Sequence, residues 1–199
     1  MDSARAPSRS WGALSALTVA LVALLALEAL GVFHGVDLAL RPGAPSGALW
    51  ARLLSATASA PLAGAVIVAP LVLRALRVRV EPWLWALSAS LLLATLLAEA
   101  LKLVFHVPRP FSGAGGGLLG VIEEYSFPSG HASRAGAVAY QARRGGRLAA
   151  VVAWIWAVGV AASRVVLGAH WVSDVVAGLI LGAWSSALVE ALYPGGALR

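Results

Sequence analysis

Cysteine is absent from the 199-residue chain, and charged residues make up only 12% of it. The first absence excludes disulfides, thiolate metal ligands and cysteine nucleophiles. An average soluble domain is about 25% charged and about 45–50% apolar, whereas 60% of this chain is hydrophobic. Because this apolar excess is too large for one soluble core, the composition predicts an integral membrane protein.

The net charge of +6 would ordinarily suggest nucleic acid as a partner. The basic residues, however, are scattered between long apolar runs and do not line one face. We therefore expect no nucleic-acid binding. The sequence has no internal repeat, and its one low-complexity segment is a glycine-rich patch at residues 113–117. Residues 1–199 are accordingly expected to form a single transmembrane domain.

Six apolar runs approach the roughly 20 residues that a helix needs to cross a bilayer core about 30 Å thick. They are residues 11–33, 53–73, 82–105, 129–142, 148–166 and 172–192. The fourth is the weakest, because it is short, contains Arg134 and leads into the basic string ARRGGR. The first run resembles a signal peptide, but it exceeds the roughly 7–15 apolar residues of one, which favours a retained helix. The predicted fold is all-α, an integral membrane bundle of six transmembrane helices.

The basic residues predict the orientation of this bundle, since short cytoplasmic loops are enriched in Lys and Arg. With the N-terminus inside, the inner side holds Arg5, Arg9, Arg74, Arg77, Arg79, Arg143, Arg144, Arg147 and Arg199. The outer side then holds only Arg41, Arg52, Lys102, Arg109, Arg134 and Arg164. We therefore expect a multi-pass protein of the cell (plasma) membrane with both termini in the cytoplasm.

Three polar segments occupy predicted outer helix ends: KLVFHVPRP at residues 102–110, FPSGHAS at 127–133 and SRVVLGAHWVSD at 163–174. The topology predicts all three at the extracytoplasmic face. Arginine matches phosphate oxygens with a planar fork of donors and lysine supplies a compact charge, so Lys102, Arg109 and Arg164 indicate an anionic ligand. The turn at Ser129 and Gly130 adds free backbone N–H groups at a helix N-terminus, which favours phosphate.

Two histidines in these segments suggest phosphoryl transfer, which needs an in-line nucleophile and a proton donor for the leaving oxygen. His170 lies four residues before Asp174, whose carboxylate can fix the imidazole tautomer and stabilise its positive charge. His170 is therefore the predicted nucleophile. His131, without an adjacent carboxylate in the sequence, is the predicted general acid and then the base that activates water. The cations would replace metal ions, so neither a metal nor another cofactor is expected.

In order and spacing, the three segments resemble the signature of the type 2 phosphatidic acid phosphatase family, whose wider superfamily includes vanadium haloperoxidases and glucose 6-phosphatase. The resemblance covers residues 102–174 and the helical layout. It implies a six-helix bundle that forms a phosphohistidine intermediate. It also implies a role for each matching position. His170 would be the nucleophile, oriented by Asp174, and His131 would be the acid. The phosphate-binding residues would be Lys102, Arg109, Ser129, Gly130 and Arg164. The departures are the short fourth helix and the glycine-rich loop 111–126, which concern substrate choice more than chemistry.

Each polar residue alone also has a structural explanation: a lysine can extend from a helix end to the membrane surface, and Asp174 can cap the sixth helix. About eleven specified residues in three ordered patterns favour the catalytic interpretation. Glu99, one turn before Lys102, is expected to be an ion-pair partner outside the catalytic set. Glu123 and Glu124 are expected in a solvated outer loop.

The sequence thus predicts a metal-independent membrane lipid phosphatase. A polyprenyl (undecaprenyl-type) diphosphate is the favoured substrate, because that carrier is released on the outer side, where the site is expected. Phosphatidic acid or phosphatidylglycerol phosphate is the alternative. Haloperoxidation is disfavoured, since those enzymes are soluble. A non-catalytic lipid-binding or transport protein would leave both histidines and the aspartate without a purpose.

Overall fold

The computed structural model describes residues 6–40, 47–111 and 124–193, without the side chains of residues 6–10. This part of the chain forms eight α-helices and, between α6 and α7, a 3-10 turn at Arg143–Gly145. The helices are α1 (Ala6–Ala29), α2 (Phe33–Ala39), α3 (Leu49–Ala56), α4 (Ala60–Ala75), α5 (Pro82–Phe105), α6 (Gly130–Ala142), α7 (Arg147–Val166) and α8 (Val172–Leu192). Arg5, Arg41, Glu123, Arg199 and the glycine-rich patch at 113–117 lie outside the described residues.

The all-α membrane fold predicted from the sequence is confirmed. Within the described ranges, five segments are long and apolar enough to cross a bilayer. They are Trp11–Ala29, Leu49–Ala75, Pro82–Phe105, Arg147–Val166 and Val172–Leu192. The second segment combines α3 and α4, which are separated by a break at residues 57–59. The helix predicted over residues 129–142 is also present, as α6, but it differs from the other five.

Helix α6 is only 13 residues long, or about 20 Å, which is too short for a bilayer core about 30 Å thick. Ten of its residues are buried, because it lies inside the bundle and packs against α5, α7 and α8. A helix shielded from lipid in this way can consist of small and polar residues. Its weak hydropathy therefore reflects burial within protein, and its first turn carries the second polar segment.

Glycines allow α6 and α8 to pack backbone against backbone. Gly178 and Gly182 have the G-x-x-x-G spacing with which membrane helices approach closely. A Cβ atom added at Gly178 would lie 2.6 Å from the Ser129 carbonyl oxygen. A Cβ atom added at Gly182 would overlap the Ser133 carbonyl oxygen. Any larger residue at these two glycines would push the helices apart. This contact fixes the separation between the polar segments that the two helices carry.

Candidate active site

The three polar segments meet at one end of the bundle and are joined by hydrogen bonds to backbone carbonyl oxygens. The Ser129 N–H donates to the carbonyl oxygen of Asp174 at 3.0 Å, which joins the second segment to the third. The Arg109 guanidinium donates to the carbonyl oxygen of Ala169 at 3.0 Å, which joins the first to the third. The Trp171 indole also donates to the Pro108 carbonyl oxygen, at 2.8 Å. The segments therefore form one connected unit.

His170 and Asp174 form a buried pair within this unit, with 2% and 0% of their surfaces exposed. Histidine Nδ1 lies 3.2 Å from carboxylate Oδ2. The backbone N–H of Trp171 donates to the same oxygen at 2.8 Å, and the Ser126 hydroxyl lies 3.3 Å from Oδ1. Since the carboxylate is held on both sides and faces Nδ1, the ring nitrogen that remains for a substrate is Nε2.

The protonation state of His170 also suits a nucleophile. Burial, followed by the positive charges of Arg164, Arg109 and Lys102, holds the pKa of His170 well below its ordinary value. The imidazole is therefore neutral at physiological pH. A neutral ring whose Nδ1 donates to Asp174 has its lone pair on Nε2, the atom that would attack phosphorus.

His131 has a different environment from His170. It lies in the first turn of α6 and interacts electrostatically with the cations Arg164, Arg134, Lys102 and Arg109. In the described part of the chain, no carboxylate lies within ion-pair distance of its ring. The sequence spacing predicted that only His170 has a carboxylate partner, and the structure shows this pair. The cations around His131 are an additional finding of the structure.

The cations that surround His131 are fixed by separate partners. Lys102 is 6% exposed, and its Nζ lies 2.9 and 3.0 Å from the two carboxylate oxygens of Glu99, which is the ion pair expected from the sequence. Arg164 donates from Nη1 to the Ser55 hydroxyl at 2.8 Å. These contacts hold buried charges that would repel one another, and so keep the cluster assembled without a ligand.

Two donors at the site have no partner within the described residues: the Ser129 hydroxyl and Nε of Arg164, both buried. Ser129 is the residue before α6, yet its hydroxyl does not cap the helix. Beside it, a Cβ atom added at Gly130 would lie 3.3 Å from Arg134 Nη1 and from Glu99 Oε1. Buried donors are normally satisfied, and an anionic ligand rich in acceptors, such as phosphate, could satisfy both.

Arg134 belongs to the cation cluster although sequence reasoning assigned it no role at the site. It is 4% exposed, and its Nε donates to the Ala58 carbonyl oxygen at 2.8 Å. A signal existed in the sequence, because residues three apart on a helix share a face and Arg134 follows His131 by three. A second signal was that this large, charged side chain stands among small residues, in the sequence GHASRAGAVAYQA of α6.

Asp37, in the short helix α2, is a further buried residue that the sequence did not indicate. Its carboxylate accepts the backbone N–H of Ser173 at 3.2 Å and is also hydrogen-bonded to the Ser173 hydroxyl. This contact fixes the first turn of α8, where Asp174 lies. Ahead of the second segment, Glu124 is exposed and Tyr125 packs edge-on against His106.

Within residues 6–40, 47–111 and 124–193, no group of three or more His, Asp or Glu side chains is placed to hold a metal ion. The site residues instead comprise the cations Lys102, Arg109, Arg134 and Arg164, the buried His170–Asp174 pair, and His131 beside the cations. Together with the membrane-spanning helices, they define a helical membrane protein with a candidate anion site at one end of its bundle.

The comparisons with known proteins identify the family. The sequence profile of the PAP2 superfamily matches residues 83–195, which is more than half of the chain. The chain belongs to the PAP2 superfamily, as the resemblance of its three segments implied.

The chain is also similar to two individual proteins. An undecaprenyl-diphosphatase of Sulfolobus acidocaldarius is 34% identical over 125 residues, which are 57% of this chain and 56% of that protein. The chain thus spans little more than half the length of that relative. A transmembrane PAP2-type phosphatidylglycerolphosphate phosphatase of Bacillus subtilis has a similar crystal structure, with a TM-score of 0.69 and 21% identity over 92% of this chain and 96% of that one. The structural similarity shows a shared fold.

Proposed function

We propose that this protein is a membrane lipid phosphatase that hydrolyses a polyprenyl diphosphate through a phosphohistidine on His170. The observation that carries the proposal is the buried His170–Asp174 pair, which adjoins a cation cluster with two unsatisfied buried donors. A protein that only held phosphate would need the cations but neither the oriented imidazole nor a second histidine. The name of the Sulfolobus relative, an undecaprenyl-diphosphatase, supports the choice of substrate.

In the first step, His170 Nε2 forms a bond to the terminal phosphorus, and the bond from phosphorus to the bridging oxygen breaks. His131, in its protonated imidazolium form, donates a proton to that oxygen, so the lipid leaves as a monophosphate. Burial and the surrounding cations lower the pKa of His131, and the negative charge of the bound diphosphate offsets those cations so that the ring can carry the proton. Lys102, Arg109 and Arg164 stabilise the charge on the equatorial oxygens of the transition state. Asp174 stabilises the positive charge that develops on the imidazole of His170.

In the second step, His131 removes a proton from water, and the water oxygen bonds to phosphorus as the nitrogen–phosphorus bond breaks. Inorganic phosphate is released, and His170 returns to its neutral form. The roles assigned to the cations are those that metal ions fill in many phosphatases. We therefore propose that the reaction needs no metal, in keeping with the four basic side chains already beside the histidines.

A phosphomonoester lipid, phosphatidic acid or phosphatidylglycerol phosphate, is the second candidate substrate. The fold similarity to the Bacillus phosphatidylglycerolphosphate phosphatase over nearly its whole length favours this candidate. The same residues would carry out the same two steps, with an alcohol in place of a lipid phosphate as the leaving group.

Phosphate release from a substrate panel separates these candidates. With purified protein in detergent, we expect release from a polyprenyl diphosphate to exceed release from phosphatidic acid, phosphatidylglycerol phosphate and glucose 6-phosphate by about tenfold or more in kcat/KM. EDTA should leave the rate unchanged. A faster reaction with a glycerophospholipid would assign the second substrate class. Activity lost with EDTA and regained with Mg²⁺ would contradict the metal-independent mechanism.

We further propose that the site faces the outside of the cell membrane and that both termini lie in the cytoplasm. The loop between α4 and α5 and the turn between α6 and α7 lie at the end of the bundle opposite the site. Together with the adjoining helix ends they carry Arg74, Arg77, Arg79, Arg143, Arg144 and Arg147, which is the excess of basic residues typical of cytoplasmic loops.

The absence of cysteine permits a direct test of this orientation with single-cysteine variants. Glu124→Cys lies in the exposed loop beside the site, and Val78→Cys lies in the loop between α4 and α5, where the native side chain is 50% exposed. In intact cells, a membrane-impermeant maleimide should label the first variant only. Permeabilised cells should show labelling of both. The reverse pattern in intact cells would place the site in the cytoplasm.

A further inference from the structure

The break at residues 57–59 lies beside the cation cluster, although no polar segment of the sequence includes it. Two site cations bind to this region from other helices. Arg164 of α7 donates to the hydroxyl of Ser55, in the last turn of α3. Arg134 of α6 donates to the carbonyl oxygen of Ala58, which lies in the break itself. The end of α3 and the break that follows it therefore supply acceptors to two of the four cations.

The contact with Ser55 determines how the Arg164 guanidinium is directed. One terminal nitrogen is held at 2.8 Å by the serine hydroxyl, while Nε is buried and has no partner within the described residues. Ser55 itself is 5% exposed, so its hydroxyl is shielded from competing solvent. A planar guanidinium with one edge fixed presents its remaining donors in a defined direction. Ser55 thus orients the donors that are left for a ligand.

We propose that Ser55 is a positioning residue of the phosphate site, acting through Arg164. It does not contact the substrate, and its effect on turnover rests on the proposed phosphatase function. The effect should be larger on kcat than on KM. The charge that Arg164 stabilises is greatest in the transition state, where a misdirected guanidinium loses most.

The neighbouring Thr57 provides a matched control. Its hydroxyl, two residues beyond Ser55, accepts the Trp156 indole N–H at 3.0 Å. This bond also joins the end of α3 to α7, but Trp156 carries no charge and is not part of the cation cluster. Thr57→Val therefore removes a similar interhelical hydrogen bond, together with the bond that the Thr57 hydroxyl donates to the Leu54 carbonyl oxygen, without altering a site cation.

The test compares kcat, KM and orthovanadate binding in three variants, with vanadate binding measured from the shift in the midpoint of thermal unfolding. Ser55→Ala should lower kcat/KM about tenfold, mainly through kcat, and weaken vanadate binding by a similar factor. Ser55→Thr, which retains the hydroxyl, should stay within about threefold of the parent. Thr57→Val should stay within about twofold, whatever its effect on stability.

Equal losses in Ser55→Ala and Thr57→Val would overturn the inference, because they would show a general packing effect. Unchanged vanadate binding in Ser55→Ala would overturn it as well. An Arg164→Met background gives a further check, since removal of the Ser55 hydroxyl there should not weaken vanadate binding further. Parent protein without phosphatase activity on any substrate would refute the proposed function alone. The vanadate measurements would still decide the role of Ser55.

Discussion

Replacing His170 with alanine is expected to abolish the covalent intermediate and to lower phosphate release by about 10⁴-fold or more. In the described structure, the only other histidine in the cation cluster is His131. It lacks a carboxylate partner to orient its ring and to stabilise the positive charge that a nucleophile acquires. Water alone would have to attack phosphorus. The measurement is single-turnover phosphate release, together with acid-quench trapping of labelled phosphate on the protein.

Two variants make this result specific. Asp174→Asn retains the size and shape of the side chain beside His170 but removes its negative charge. The asparagine amide can also donate to Nδ1, which would favour the wrong tautomer of the imidazole. It should therefore keep substrate binding while losing about 10²–10⁴-fold in kcat. His34→Ala is the control, because His34 is an exposed histidine on α2, near the same end of the bundle, and its loss should leave turnover unchanged. Normal turnover by His170→Ala would remove His170 from the mechanism.

The parts of the fold and site that the sequence predicted are those with a local pattern. Long apolar runs predict helices because the bilayer requires them, and the segments at 102–110, 127–133 and 163–174 carry their spacing within a few residues. His170 and Asp174 are four residues apart, so the contact between them follows from local geometry. Helix α6 was predicted within a residue of its observed bounds, Gly130–Ala142. Its location inside the bundle, however, depends on glycines of α8.

The parts that the sequence did not predict depend on contacts between distant residues. Arg164 and Ser55 are 109 positions apart, and no spacing rule relates a serine in one apolar run to an arginine in another. The break between α3 and α4 did leave a local signal. Ser59 precedes a helix with proline in its first turn, which is a common helix start. A continuous apolar run over residues 53–73 obscured that signal, because hydropathy does not distinguish one helix from two.

The second large effect concerns His131, whose role as proton donor differs from that of the nucleophile. His131→Ala should lower release from a lipid substrate by about 10²–10⁴-fold, since the leaving oxygen then departs without a proton. A substrate with a good leaving group, such as p-nitrophenyl phosphate, does not need that proton. With this substrate the variant should show a rapid burst of p-nitrophenolate, followed by slow turnover because water is not activated.

The burst also predicts where phosphate accumulates. In His131→Ala, phosphate that is acid-labile and base-stable, as a phosphoramidate is, should build up on His170 and be found there by peptide mapping. In His170→Ala, neither a burst nor bound label should appear with the same substrate. Label found on His131 in the parent protein would reverse the assignment of the two histidines. A His131→Ala variant that is equally slow with both substrates and shows no burst would mean that His131 acts on binding. Only the combination of a burst, label on His170 and slow second turnover is consistent with an acid that later serves as the base for water.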